Sequence, residues 1–383
     1  MEAYFDNSAT TKVFDCVKEI VVRTMTEDYG NPASKHRKGM EAEQYIRQAR
    51  SQIAKTLRAQ EREILFTSGG SESNNMALIG TALANERAGK HIISTAIEHA
   101  SVYRPLEYLE HAGFEVTFLS VDRDGHIDLA KLEAAIRPDT ILVSTMYVNN
   151  EIGAVEPVEE IARIVHAKNP KTIYHVDAIQ AYGKFVIRPE RQGIDLLSVS
   201  GHKIHGPKGT GFLYIRRGVK IRPLIYGGGQ QWDLCAGTEN VPGVAGLGEA
   251  AREMYTNHEE KVRQLTELKD YLSDRLLELE DVALNSRKGE ASAPQIVSAS
   301  FGGVRAEVLL HALEEKGIYV SSGSACSSNH PGVSGTLKGI GVAQRYLDAT
   351  IRFSFGLFNT KEEIDYCMDA LKELLPVLRR YRR

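Results

Sequence analysis

Between residues 60 and 225 the chain alternates short apolar runs with stretches of helical spacing. The runs are EILFT, HIISTAI, FEVTFLSV, TILVSTMYV, TIYHVDA, LLSVS and GFLYI. Runs of this length, separated by enough sequence for a covering helix, predict an α/β fold with a mostly parallel sheet and helices on both faces. Such sheets hold ligands at the carboxyl ends of their strands. Polar residues gather there: Ser71 after EILFT, His99 after HIISTAI, Asn150 after TILVSTMYV, Asp177 and Gln180 around the end of TIYHVDA, and Lys203 after LLSVS.

Past the glycines 227–229 the spacing predicts helix over roughly 243–280, leading into a smaller α+β unit. That unit holds a strand QIVSASF, a helix from Ala306, a strand GIYVSS, a Gly/Ser-rich loop with Cys326, a strand ATIRFSF and a last helix capped by Thr360.

Composition narrows the partners. A chain of 383 residues has room for two units and a cleft between them. A net charge of −3 gives no reason for nucleic acid or acidic membrane as the main partner. The start MEAYFDNSATTKV lacks the basic and apolar regions of a secretory signal, and no apolar run approaches the roughly 18 residues a membrane span needs. A cytoplasmic location is the expectation. Cys16, Cys235, Cys326 and Cys367 form no CxxC pair, so neither a disulfide framework nor a metal site is expected.

The stretch SVSGHKIHGPKGTGFLYI, 198–215, sets Lys203 between two histidines and ahead of three glycines. A lysine that bonds an aldehyde must lose its proton near neutral pH, which needs burial or a neighbouring positive charge. Asp177 ends an apolar strand, where a carboxylate needs a cation beside it; a protonated pyridine ring is one, and a helix cap is the alternative. FTSGGSESNN, 66–75, reads as strand, glycine turn and helix start, which suits a phosphate at Gly70 and Ser71 with Ser200 and His202 approaching, or a plain turn. His99 either lies over a cofactor ring or serves as a hydrogen-bonded structural residue. Cys326 sits among small, flexible residues that cannot pack a core, as a nucleophilic thiol on a moving loop would. Arg352, in TIRFSF, offers a bidentate donor for a carboxylate.

Together these segments resemble the cysteine desulfurases of the NifS/IscS type, in the class V aminotransferase family of pyridoxal-phosphate enzymes with fold type I. The likeness runs through YFDNSATT, GNPASKH, FTSGGSESNN, IEHASV, NNEIG, HVDAIQAYGK, SGHKIHGPKG, AGTENV, SSGSACSS and IRFSFG. It implies a large domain, 14–255, built on a seven-stranded sheet, and a small domain formed by 1–13 and 256–383. It implies that Lys203 bonds the pyridoxal 5'-phosphate, Asp177 faces the pyridine nitrogen and Gln180 the phenolic oxygen, and that His99 stacks on the ring and assists proton transfer. Gly70, Ser71, Ser200 and His202 would hold the phosphate, with Thr238 contributed by the other subunit of a homodimer. Asn150 and Arg352 would bind the carboxylate of L-cysteine, and Cys326 would take its sulfur as a persulfide for an acceptor protein in iron–sulfur cluster assembly or tRNA and cofactor thiolation.

One segment departs from the pattern. Relatives carry arginines between the triple glycine and the GT pair, whereas this chain reads GGGQQWDLCAGT, with Trp232 and Cys235 at basic positions and a second thiol near the site. Leu357 stands where many relatives have another arginine. Selenocysteine lyase, another class V enzyme without use for Cys326, and a low-turnover sulfur-relay partner are the rival readings.

Overall fold

The structure, a computed structural model, describes residues 1–289, 292–322 and 334–381. Its strands are β1 (Ala3–Tyr4), β2 (Ile64–Thr67), β3 (His91–Thr95), β4 (Glu115–Leu119), β5 (Thr140–Met146), β6 (Ile173–Asp177), β7 (Leu196–Ser200), β8 (Gly211–Ile215), β9 (Val282–Leu284), β10 (Ile296–Phe301), β11 (Ile318–Tyr319), β12 (Ser321–Ser322) and β13 (Thr350–Ser354). Seven of them form one sheet in the order β2-β8-β7-β6-β5-β3-β4. β8 runs antiparallel to both neighbours, so β2 and β7 on either side of it point the same way as the parallel strands. The carboxyl ends of β2, β3, β5, β6 and β7 therefore face one edge.

Every residue of β5, β6 and β7 is buried, because helices cover both faces and no solvent face calls for alternation. On one side the helices Arg37–Leu57 and Val241–Tyr255 touch at Gly248, where a Cβ would lie 2.5 Å from Ala49 Cα. Only glycine permits that approach.

A second core forms around the antiparallel sheet β12-β13-β10-β9 and takes in Phe301, Phe353, Leu272 and Met368. Ala3 and Phe5 belong to it, while Phe14 and Val17 belong to the first core. β1 pairs with β11, and Ser354 N donates to Phe5 O at 2.6 Å. The sequence segment GIYVSS thus serves two sheets, Ile318 beside β1 and Ser321 beside β13.

The helix expected over 243–280 is two helices, Val241–Tyr255 and His258–Leu277. Asn257 takes φ 51° between them, a left-handed turn that asparagine tolerates better than most residues. The two helices pack into different cores. Thr360 and Glu363 form a capping box at the start of the helix Lys361–Leu378, as the sequence suggests. Among the described residues no helix is long and apolar enough to cross a membrane.

Candidate active site

The converging strand ends enclose a cavity of about 260 Å³. Lys203, Asp177, Gln180 and His99 line it, as do Gly70, Ser71, Ser200 and His202, and Asn150 and Arg352. Thr238 is exposed on this chain and lies outside the cavity lining. Cys326 falls outside the described residues.

Lys203 ends a tight turn, Gly201–Lys203, directly after β7. A Cβ on Gly201 would sit 2.4 Å from Thr210 Oγ1, so the turn closes only with glycine. Lys203 Nζ donates to Ser8 O at 2.5 Å and to Ala9 O at 2.7 Å. Thr11 holds the same ribbon in place, its N and Oγ1 both donating to His202 O at 2.9 Å. Behind the turn the buried Lys184 donates from Nζ to Lys203 O at 2.5 Å. Burial, then the charge of Lys203, brings the Lys184 pKa down to about 7. Burial likewise lowers His202 to about 4, helped by Lys203, Lys208 and Lys184, so at neutral pH its ring is an uncharged donor and acceptor.

Asp177 closes β6 with its carboxylate in the cavity. Ile179 N donates to Oδ1 at 3.0 Å and Asn74 Nδ2 to Oδ2 at 2.8 Å. Desolvation raises its pKa, opposed by those two donors and by His99 and Lys203. Two residues earlier on the same strand, His175 is held by Ser144 Oγ at 2.8 Å and Ser198 Oγ at 2.9 Å, and burial lowers it to about 3. Next to His99, Glu98 accepts from Thr95 Oγ1 and Met146 N, both at 2.9 Å, while its enclosed Oε2 has no hydrogen-bond partner. Burial, then Asp177, pushes its carboxyl well above the usual carboxylate range.

His99 caps the helix Ala100–His111: its Nδ1 accepts from Ser101 N at 3.1 Å and lies 2.8 Å from Ser101 Oγ. At the other end of the cavity Gly70 and Ser71 start a helical run whose middle, Met76–Gly80, is a π turn. A Cβ on Gly70 would stand 2.2 Å from Ile179 Cδ1, so backbone alone lines this corner. Arg352, buried on β13, donates from Nη1 to Asn150 O at 2.8 Å and from Nη2 to Asp6 Oδ1 at 2.9 Å, leaving Nε without a partner. Gln180 Nε2 donates to Ser8 O at 3.0 Å.

Sequence reasoning passed over Asn74, Glu98, Ser101 and Lys184. Asn74 lay within a segment already singled out, and Lys184 stood one glycine past a tyrosine in HVDAIQAYGK; only the fold shows what each touches.

The unusual segment is built on its new residues. Gln231, Trp232 and Asp233 all have positive φ. Arg50 lies between Trp232 and Phe66, its guanidinium 4.9 Å and 5.0 Å from the two rings. Cys235 Sγ donates to Glu72 Oε1 at 3.3 Å, and burial with the Glu72 charge pushes that thiol up to about 12. Cys235 is therefore a protonated thiol and lies outside the lining of this chain's cavity.

Pyridoxal phosphate fits these residues. The carboxylate of Asp177 is buried among neutral N–H donors and calls for a cation, and the backbone corner at Gly70 admits no side chain. A lysine amine stands in the same cavity. Such a pairing of lysine and aspartate on a seven-stranded, mostly parallel sheet defines a pyridoxal-phosphate enzyme of fold type I. The class-V aminotransferase family model matches residues 3–367, and the chain belongs to that family. It is 43% identical to cysteine desulfurase IscS of Dictyoglomus turgidum, over 99% of this chain and 95% of that one. With cysteine desulfurase IscS of Methanosarcina thermophila the identity is 45%, over 98% and 92%. A solved NifS-like protein superposes with a TM-score of 0.94 at 40% identity, covering 99% of this chain and 100% of the other.

Proposed function

We propose that the chain is a pyridoxal-phosphate-dependent cysteine desulfurase, which converts L-cysteine to L-alanine and passes the sulfur to an acceptor. The observation that carries this reading is the meeting of Lys203 and Asp177 in one cavity, in a chain whose relatives at 43% and 45% identity bear that name. When bound, the cofactor supplies an aldehyde and a protonated ring that accepts electrons from the substrate α-carbon. Asp177 holds the proton on that ring nitrogen. Lys203 would provide the amine that holds the cofactor and the group that moves a proton at Nζ. Gly70, Ser71, Ser200 and His202 hold the phosphate through backbone and neutral donors, and Gln180 approaches the phenolic oxygen. His99, in the cavity lining, would cover the ring. Arg352 and Asn150, both in the cavity lining, receive the substrate carboxylate.

Cys326 takes the sulfur: its thiol and the substrate thiol become an enzyme persulfide and the methyl group of alanine, with no outside oxidant. An exogenous thiol then reduces the persulfide to sulfide. Thr238 serves the partner's cavity in a homodimer, which its exposure on this chain supports. The domains divide at 13/14 and 255/256, a division supported by Phe5 and Phe14, and by the two successive helices, packing into different cores.

The test is to purify the protein with pyridoxal phosphate, record its visible spectrum, add L-cysteine with dithiothreitol and quantify alanine and sulfide. A yellow protein yielding both in equal amounts is the expected result, with Cys326→Ala keeping the colour and losing sulfide. A protein that takes up no cofactor, or forms no alanine, overturns the reading. Unchanged sulfide release by Cys326→Ala points instead to a lyase without use for this thiol.

A further inference from the structure

Two side chains, Asn74 and Ser101, link Asp177 to His99. Asn74 Nδ2 donates to Asp177 Oδ2 at 2.8 Å and to Ser101 Oγ at 2.9 Å, and Ser101 Oγ lies 2.8 Å from His99 Nδ1. The direction of each bond follows from the first. An ionised carboxylate only accepts, so the amide of Asn74 must turn its N–H side toward Asp177. That choice strands the amide's own oxygen: Asn74 Oδ1 is buried without a partner, a cost the amide would avoid if anything but the carboxylate decided its orientation. The second N–H of Asn74 meets Ser101 Oγ, which must accept. The hydroxyl proton of Ser101 is then left to donate to His99 Nδ1, which also accepts from Ser101 N at 3.1 Å. With Nδ1 receiving two donors, a neutral His99 carries its proton on Nε2.

We propose that Asn74 and Ser101 are positioning residues that transmit the charge of Asp177 to His99 and hold its ring as the Nε2–H tautomer. In that form His99 is a donor at Nε2 and its lone pair is tied up at Nδ1. The ring cannot serve as the base at the substrate α-carbon without breaking the chain, so that task falls to Lys203 and His99 acts as hydrogen-bond donor and acid. This rests on the function proposed above. Among the described residues, the titratable and charged groups around His99 are Asp177 at the end of β6, Glu151 after β5, Glu98 beside it, and Lys203, His202 and Arg352 across the cavity. None of them is altered in the variants below.

The experiment is long-range proton–nitrogen NMR on histidine-labelled holoenzyme, with the His99 signals assigned by His99→Gln, for wild type, Ser101→Ala, Ser101→Thr and Asn74→Ala. Wild type is expected to show an unprotonated Nδ1 and a protonated Nε2. Ser101→Ala removes a donor to the neutral ring and is expected to raise the His99 titration midpoint by about half to one pH unit, with Ser101→Thr restoring it. Asn74→Ala leaves the backbone donor of Ser101 on Nδ1 and is expected to keep the Nε2–H tautomer but to raise the midpoint, because the hydroxyl of Ser101 becomes free to turn away from the ring. A protonated Nδ1 in wild type overturns the proposal, as does an Asn74→Ala variant with the midpoint of wild type. Alanine formation is measured on the same wild-type sample, so a holoenzyme with the expected tautomer and no alanine fails the functional reading alone.

Discussion

Lys184 Nζ donates to the main-chain carbonyl of Lys203 at 2.5 Å, so one buried lysine fixes the backbone of another. Its pKa lies near 7 in the fold and near 10.5 in the unfolded chain. The unfolded chain binds more protons between those values, so stability climbs as pH rises from about 7 toward 10.5, by up to about 1.4 kcal/mol per pH unit. Lys184→Met is expected to flatten that rise in denaturant midpoints taken at pH 7, 8 and 9. It also leaves the Lys203 carbonyl without this donor, and kcat is expected to fall about tenfold. Equal slopes for variant and wild type would assign the rise to another group.

Asp177→Asn separates stability from function. Desolvation holds this carboxyl above its ordinary value, so the cofactor-free fold loses stability as pH rises through its titration. The asparagine carries no such penalty. Cofactor-free Asp177→Asn is expected to match or exceed wild type in melting temperature at pH 8 and to lose that advantage at pH 4. Its kcat/KM for L-cysteine is expected to fall by about a hundredfold or more. A cofactor-free variant that melts below wild type at pH 8 would contradict the burial argument.

Gly70→Ala puts a methyl 2.2 Å from Ile179 Cδ1. The overlap is expected to cost about 1–3 kcal/mol of stability and to weaken cofactor retention on dialysis. Ile179→Val deletes the Cδ1 it strikes, and the double variant is expected to recover part of both losses. No recovery would mean that the backbone, not the side chain, is displaced.

Cys235→Ser is expected to keep alanine formation within about twofold of wild type, since this thiol is protonated and bound to Glu72. Trp232→Ala removes the ring over Arg50 and is expected to lower stability by about 0.5–1 kcal/mol in a urea melt. A large loss of turnover in either variant would tie the segment 230–236 to the chemistry.

The strands were legible because each is a short apolar run between turn signals, and the cavity residues because sheet topology places their strand ends together. TIYHVDA announced both β6 and Asp177. What escaped has the same physical cause throughout: a role defined by a contact distant in sequence. Asn74 reaches Asp177 across 103 positions, and Ser8 and Ala9 reach Lys203 across 195 and 194. The break at Asn257 was hidden because helical periodicity continues on both sides of it while the core it serves changes. Trp232 and Cys235 looked like a loss of charge near the site, whereas Arg50 from another helix supplies a guanidinium beneath the new indole.

The ribbon that carries Ser8 and Ala9 to Lys203 is itself sewn to β13, through Ser354 N to Phe5 O at 2.6 Å and Ser8 N to Ser354 Oγ at 2.7 Å. Lys203 leaves the ribosome about 150 residues before Ser354 does, so the ribbon can meet His202 and Gln180 well before the strand that completes its anchorage exists. The first residues synthesised therefore gain the last of their partners only when the final strand has been made.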